Sequence, residues 1–143
     1  MQRSPAGNGA LNGGSHGCWR AHPDELLPMR TTVRGWLAEF ALGPEAEQDL
    51  VLAVNEAATN AVEHAYRDSP VTSGDNEFEV SLRPEPGWLS VAITDRGMWQ
   101  QRRDTDGERF GILIMHQLMA SVTIDKNDKG TRVLLRYPLL AGE

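Results

Sequence analysis

The stretch that decides the fold is Glu56-Ala-Ala-Thr-Asn60-Ala-Val-Glu-His64-Ala-Tyr66, a segment that reads strongly as helix. Glu56 and Asn60 stand four residues apart, so a helix stacks both side chains on one face, one turn from each other. A carboxylate able to take a proton then adjoins an amide oxygen able to hold a hard cation. Those are two of the parts needed to activate a hydroxyl group against a nucleotide phosphate. The rest of the chain must supply the nucleotide pocket.

Working outward, the helix that carries this pair is expected from about Pro44 to Tyr66, with Pro44 and Glu45 suited to its first turn. At about 100° per residue, Leu50, Val51, Val54, Ala57, Ala58, Ala61, Val62 and Ala65 share one apolar arc. So many alanines suggest close approach to a sheet. Glu56, Asn60 and Glu63 fall opposite that arc, with His64 at the boundary, where it closes the helix end. The plain reading of the opposite face is solvation. Its thin charge and the interruption by Ala53 point the other way.

Upstream, residues 1–17 are rich in Gly, Asn, Ser and Ala without periodicity, and read as a flexible arm or linker outside the fold. Cys18 to His22 forms a candidate first strand, ended by Pro23. A helix from about Asp24 to Ala41 follows, apolar through Leu26, Leu27, Val33, Trp36, Leu37 and Phe40, and Leu42-Gly43-Pro44 stops it. Downstream, Arg67 to Asn76 is a polar loop. Glu77 to Arg83 alternates as a strand, Pro84-Glu85-Pro86-Gly87 turns the chain, and Trp88 to Asp95 returns. A polar loop carrying Arg102, Arg103, Asp104 and Asp106 leads to a short helix over Phe110–Ala120. A hairpin closes the domain: Val122 to Asn127, a turn at Asp128-Lys129-Gly130, then Thr131 to Tyr137. The order β-α-α-β-β-α-β-β predicts an α+β fold, a two-layer sandwich whose mostly antiparallel, mixed sheet is covered by helices on one face. One domain over residues 18–139 is expected, with 140–143 as a tail.

Composition narrows the function. A chain of 143 residues with 40% hydrophobic content has one domain and a real core. A formal charge of −6 argues against a general binder of nucleic acid or membrane surfaces. It suits a basic protein partner, or solubility alone. The single cysteine, Cys18, excludes an internal disulfide framework and a cysteine-cluster metal site. Four scattered histidines make no metal set. The N-terminus lacks an apolar run and no stretch is long enough to span a bilayer, so the expected compartment is the cytoplasm.

Further candidates lie at strand and helix ends. In the strand Trp88–Asp95, Leu89, Val91 and Ile93 alternate with Ser90, Ala92 and Thr94, which puts Asp95 in phase with the helix-covered face. A carboxylate there needs a donor, and an adenine amino group is one; Gly97 beyond it lets a flat ring approach the backbone. Alternatively the strand ends at Thr94 and Asp95 starts a turn. Thr131, in phase with Val133, Leu135 and Tyr137, should share the inner face with Asp95. Gly130 before it is explained equally by the hairpin turn. Gly111 stands at the expected helix start, where free N–H groups favour phosphate. Arg102, Arg103 and Arg109 either reach phosphates from the loop or are solvated.

Taken in order and spacing, these segments resemble the anti-sigma factor serine kinases of bacteria, within the histidine-kinase-like ATPase superfamily, from about Cys18 to Pro138. "NEAATNAVEHAY" resembles that family's asparagine box, "ITDRGMW" its D-x-G box, "FGILIMHQLMASV" its second glycine box and following helix, and "GTRVLLRY" its terminal Gly-Thr strand. The resemblance implies Glu56 as general base or nucleophile-positioning residue and Asn60 as Mg²⁺ ligand. It implies Asp95 as the adenine-reading carboxylate with Gly97 beside it, and Gly111 and Thr131 as nucleotide contacts. It also implies ATP and Mg²⁺ as cofactors. The implied activity is phosphorylation of a serine on an anti-anti-sigma (STAS-type) protein and sequestration of a sigma factor, generally as a homodimer. The alternative is a regulatory binding module with little or no kinase activity. One position departs from the pattern: the family's G-x-G reads Arg109-Phe110-Gly111 here, which makes Arg109 a candidate contact to the terminal phosphates.

Overall fold

The computed structural model describes residues 14–65, 76–97 and 106–139. Its elements run β1 (Ser15–Arg20), α1 (Leu26–Leu37), α2 (Pro44–Asn60), β2 (Glu77–Glu85), β3 (Trp88–Asp95), α3 (Asp106–Leu118), β4 (Ser121–Asn127) and β5 (Gly130–Pro138). Short 3₁₀ turns flank α1 at Pro23–Glu25 and Ala38–Phe40, and a π turn, Ala61–Ala65, extends α2. The element order is the expected one. The sheet order is β1-β2-β3-β5-β4, and every neighbouring pair is antiparallel, so the expected parallel admixture is absent among the described strands.

Each boundary has a local cause. Pro44 occupies the first turn of α2 behind Gly43, and Glu45 and Glu47 face the positive end of its dipole. Ala41, at φ 54°, turns the chain out of the preceding helix. The β2–β3 turn is tighter than the sequence suggests: Glu85 pairs with Trp88, leaving Pro86-Gly87 as a two-residue loop with Gly87 at φ 81°. Pro84 can join β2 because β1 pairs only as far as Leu82, so no ladder bond on that side is lost.

The first strand starts earlier than expected, at Ser15 rather than Cys18, and ends at Arg20. Glycine-rich composition reads as arm, but pairing with β2 supplies the ladder that composition does not reveal. Gly17 is required there, since a Cβ would fall 2.7 Å from the Trp19 ring. Trp19 in turn stacks on Phe78 with centroids 5.9 Å apart and meets Trp36 at 6.3 Å, tying β1, β2 and α1 together.

The core lies between sheet and helices. Phe78, Val80 and Leu82 of β2, Leu89, Val91 and Ile93 of β3, and Val133 and Leu135 of β5 supply the sheet side. Met29, Val33 and Leu37 of α1, Leu50, Val54, Ala57, Ala58 and Ala61 along α2 and its π turn, and Met115 of α3 supply the helix side. The alanines let α2 lie close to β3 and β5, as their abundance implies. Helix α2 also packs against α1 and α3. No helix among the described residues is long and apolar enough to cross a membrane.

Candidate functional site

The acid–amide pair sits at the C-terminal end of α2, but it is not on a solvated face. Asn60 is buried at 3% exposure and Glu56 is half-buried, because α3 packs on the side of α2 opposite the apolar arc. The helical wheel of α2 alone cannot show this. A π turn begins directly after Asn60, and such wide turns recur at functional sites, where they shift the phase of the residues that follow.

Two features of this pair are unusual for a structural helix. The Asn60 Nδ2 is buried with no hydrogen-bond partner among the described residues. Leaving such a group unpaired is costly, so a retained one calls for a partner beyond the described residues. An amide turned by 180° presents its oxygen at the same place, so the side chain suits either a phosphate oxygen or a hard cation. Burial, and secondarily the Glu63 carboxylate, raise the Glu56 carboxyl above the ordinary glutamate range. Glu63 carries no assigned role in the sequence reading. Its position seven residues on, two turns along the same face, was the available signal.

Gly111 meets this pair directly. A Cβ at that position would lie 2.8 Å from Glu56 Oε1, 3.7 Å from Asn60 Oδ1 and 3.9 Å from Asn60 Nδ2. Its expected place at a helix start is corrected, because α3 begins at Asp106 and Gly111 is its sixth residue. Only the first four N–H groups of a helix are free, so the N–H of Gly111 is not an open phosphate donor here. The expectations for Arg102 and Arg103, and for the Arg109 side chain, lie outside the described residues.

On the sheet side, β3 runs through Asp95, so the alternative of a strand ending at Thr94 does not hold. Asp95 is buried at 4% exposure on the inner face, where α2 packs on β3 and β5. Its Oδ1 accepts a hydrogen bond from the Gly97 N–H at 3.0 Å, which fixes the carboxylate at the strand end. Thr131, exposed by 3%, pairs with Asp95 across β3 and β5. Gly130 proves to be more than a turn residue: its φ is 136°, and a Cβ there would overlap the Asp95 carbonyl oxygen. The absent side chain lets the start of β5 close on the end of β3. The arrangement thus pairs Asp95 with Thr131 at the end of the sheet and sets the Glu56–Asn60 pair of α2 against Gly111 of α3. Among the described residues no cluster of three His, Cys, Asp or Glu side chains is placed to hold a metal ion.

Comparison with known proteins bears on the family and the fold. The chain is 29% identical over 136 residues to the serine-protein kinase RsbW of Bacillus velezensis, covering 82% of this chain and 81% of that protein. It is 27% identical over 136 residues to RsbW of Bacillus subtilis, with the same coverage. The anti-sigma F factor of Clostridium botulinum is 23% identical over 120 residues, covering 75% of this chain and 81% of that protein. In fold, the chain is similar to the crystal structure of the RsbU and RsbW domains of a Mycobacterium tuberculosis protein, with a TM-score of 0.67 and 24% identity over 88% of this chain and 32% of that one. A histidine kinase domain from Erythrobacter litoralis matches with a TM-score of 0.51 and 19% identity over 81% of this chain and 60% of that one. Residues 19–137 match the family described as the histidine kinase-like ATPase domain. The chain therefore belongs to the histidine kinase-like ATPase domain family.

Proposed function

We propose that the protein is an ATP- and Mg²⁺-dependent protein-serine kinase that phosphorylates an anti-anti-sigma (STAS-type) protein and sequesters a sigma factor, acting as a homodimer. The observation that carries this reading is the Glu56–Asn60 couple, with a buried amide nitrogen that has no partner among the described residues and a half-buried carboxylate raised above its ordinary range. Relatives named serine-protein kinase and anti-sigma F factor support it.

In this reading Asp95, with its carboxylate oriented by Gly97, accepts from the adenine amino group, and the Thr131 hydroxyl beside it completes that end of the site. Asn60 holds the metal through its amide oxygen, and Arg109 reaches the terminal phosphates. Bound Mg²⁺ supplies neutralisation of phosphate charge, the main need of a phosphoryl transfer. Glu56 accepts the proton of the incoming serine hydroxyl. The hydroxyl oxygen bonds to the γ-phosphorus, the bond from that phosphorus to the bridging oxygen breaks, and ADP leaves with the electron pair. The raised position of Glu56 brings its proton affinity nearer to neutral pH, which suits a general base.

Incubation with labelled ATP, Mg²⁺ and candidate anti-anti-sigma proteins tests the proposal. Glu56→Ala should keep nucleotide binding and lose transfer by about 10²–10⁴-fold. Equal transfer by wild type and variant would refute the role of Glu56. A second reading, a regulatory module with little or no kinase activity, is favoured by one observation: Gly111 lies inside a helix rather than in an open phosphate-binding loop. Calorimetric titration with Mg-ATP separates the two, because no detectable affinity leaves only the binding role.

A further inference from the structure

Among the described residues two glycines have positive φ, and both stand at hairpin turns: Gly87 at 81° and Gly130 at 136°. The turn accounts for the first. Nothing lies within 4 Å of the place a Cβ of Gly87 would take. At Gly130 a Cβ would overlap the Asp95 carbonyl oxygen and come within 2.7 Å of Arg96 Cα and 2.9 Å of the Asp95 carbonyl carbon. Those are backbone atoms of a planar, rigid peptide, which cannot turn aside as a side chain could. The β4–β5 turn also has a device of its own, since Asn127 Oδ1 accepts the Lys129 N–H at 2.7 Å.

Bare backbone at Gly130 therefore rests on the Asp95–Arg96 peptide. That peptide begins the short turn that the Gly97 N–H closes on Asp95 Oδ1 at 3.0 Å. The direction of the buried Asp95 carboxylate thus depends on where β5 begins. We propose that Gly130 is a positioning residue: by seating the Asp95–Arg96 peptide it aims the Asp95 carboxylate, and so sets the preference for a base that carries an exocyclic amino group. This rests on the reading of Asp95 as the acceptor for the adenine amino group. The contribution of Gly130 runs through Asp95 and not through a contact of its own with the base.

The test uses the full chain as wild type, Gly130→Ala and Asp95→Asn, with Asn127→Ala as the control for the turn alone. Calorimetry compares Mg-ATP with the Mg complex of purine riboside triphosphate, which lacks the exocyclic amino group. Wild type should prefer ATP by about 10- to 150-fold, the effect of one charge-assisted hydrogen bond. In Gly130→Ala, as in Asp95→Asn, the preference should fall below about threefold, while the Kd for purine riboside triphosphate stays within about threefold of wild type. A general loosening of the domain would weaken both nucleotides together. Asn127→Ala should keep the full preference. Alanine is strained at this φ and lowers stability, so a second measurement needs no variant. In wild type, amide hydrogen exchange at Gly97 should proceed within about tenfold of the rate at the adjoining end of the β3–β5 ladder, because the two open together. Faster exchange at Gly97 would show that its bond to Asp95 opens independently of β5, and would overturn the proposal. So would a preference kept in Gly130→Ala, a preference lost equally in Asn127→Ala, or equal weakening of both nucleotides. A wild type with no preference for ATP removes the adenine reading of Asp95, and the exchange result alone then decides the seat.

Discussion

Asn60→Leu should make the ligand-free protein more stable and the nucleotide-binding protein useless. Asn60 is 3% exposed, and its Nδ2 has no partner among the described residues. An unpaired buried polar group carries a desolvation penalty of about 1–3 kcal/mol, and an apolar group of similar shape removes it. Leucine keeps the branching of asparagine, and its neighbours along the helix, Ala57 and Ala61, are small and buried. A gain of about 1–3 kcal/mol is therefore expected; at about 3 °C per kcal/mol for a domain of this size, Tm rises by roughly 3–9 °C. Urea denaturation without nucleotide, together with calorimetric titration of Mg-ATP, reads both halves. The expected pattern is a higher midpoint with unchanged slope, and no measurable nucleotide binding. A loss of about 1 kcal/mol or more in the ligand-free protein would show that the amide is part of a satisfied internal network, and the case for a ligand at Asn60 would fail. Retained Mg-ATP affinity would fail it as well.

Two other outcomes follow from the site. Glu56 must be ionised to accept a proton, and its carboxyl is raised by burial first and by Glu63 second; the acid limb of the kcat/KM profile should therefore lie above the ordinary glutamate range. Glu63→Gln should move that limb toward lower pH without abolishing it, and an unmoved limb would remove Glu63 from the site. The same shift means that the stability linked to Glu56 is full below the ordinary glutamate pKa and is lost as pH rises through the raised value. Asp95→Asn keeps an oxygen for the Gly97 N–H but loses the charge that the proposed function sets against the adenine amino group. One charge-assisted hydrogen bond is worth about 1.5–3 kcal/mol, so Mg-ATP affinity should drop by about 10- to 150-fold with little change in Tm. Calorimetry with ATP checks it; undiminished affinity would mean that Asp95 only closes the strand.

The stability gain expected of Asn60→Leu has a general meaning for this molecule. A buried amide with no partner among the described residues, a raised carboxyl and a helical glycine cluster within one region. Each departs from what stability alone favours, and local departures of this kind concentrate where a ligand or reaction compensates for them. Elsewhere the chain follows the ordinary rules, with alternating strands, a proline at the start of α2 and an apolar core between two layers.

What could be read from residues alone was whatever depends on short-range periodicity. Spacing of about 3.6 placed Glu56 and Asn60 one turn apart, and spacing of two placed Asp95 and Thr131 on the inner face of their strands. The element order and the layer arrangement followed from the same patterns. Position relative to other elements was not readable in this way. The first strand begins at Ser15 because β2 pairs with it, and Asn60 is buried because α3 covers it. In one dimension Gly111 looks like a helix-start glycine and Gly130 like a turn glycine. In three, one meets the Glu56 carboxylate and the other the Asp95 carbonyl. Local sequence sets which way a side chain points along its own helix or strand. What it points at depends on contacts between residues far apart in the chain, and those form only when the layers close.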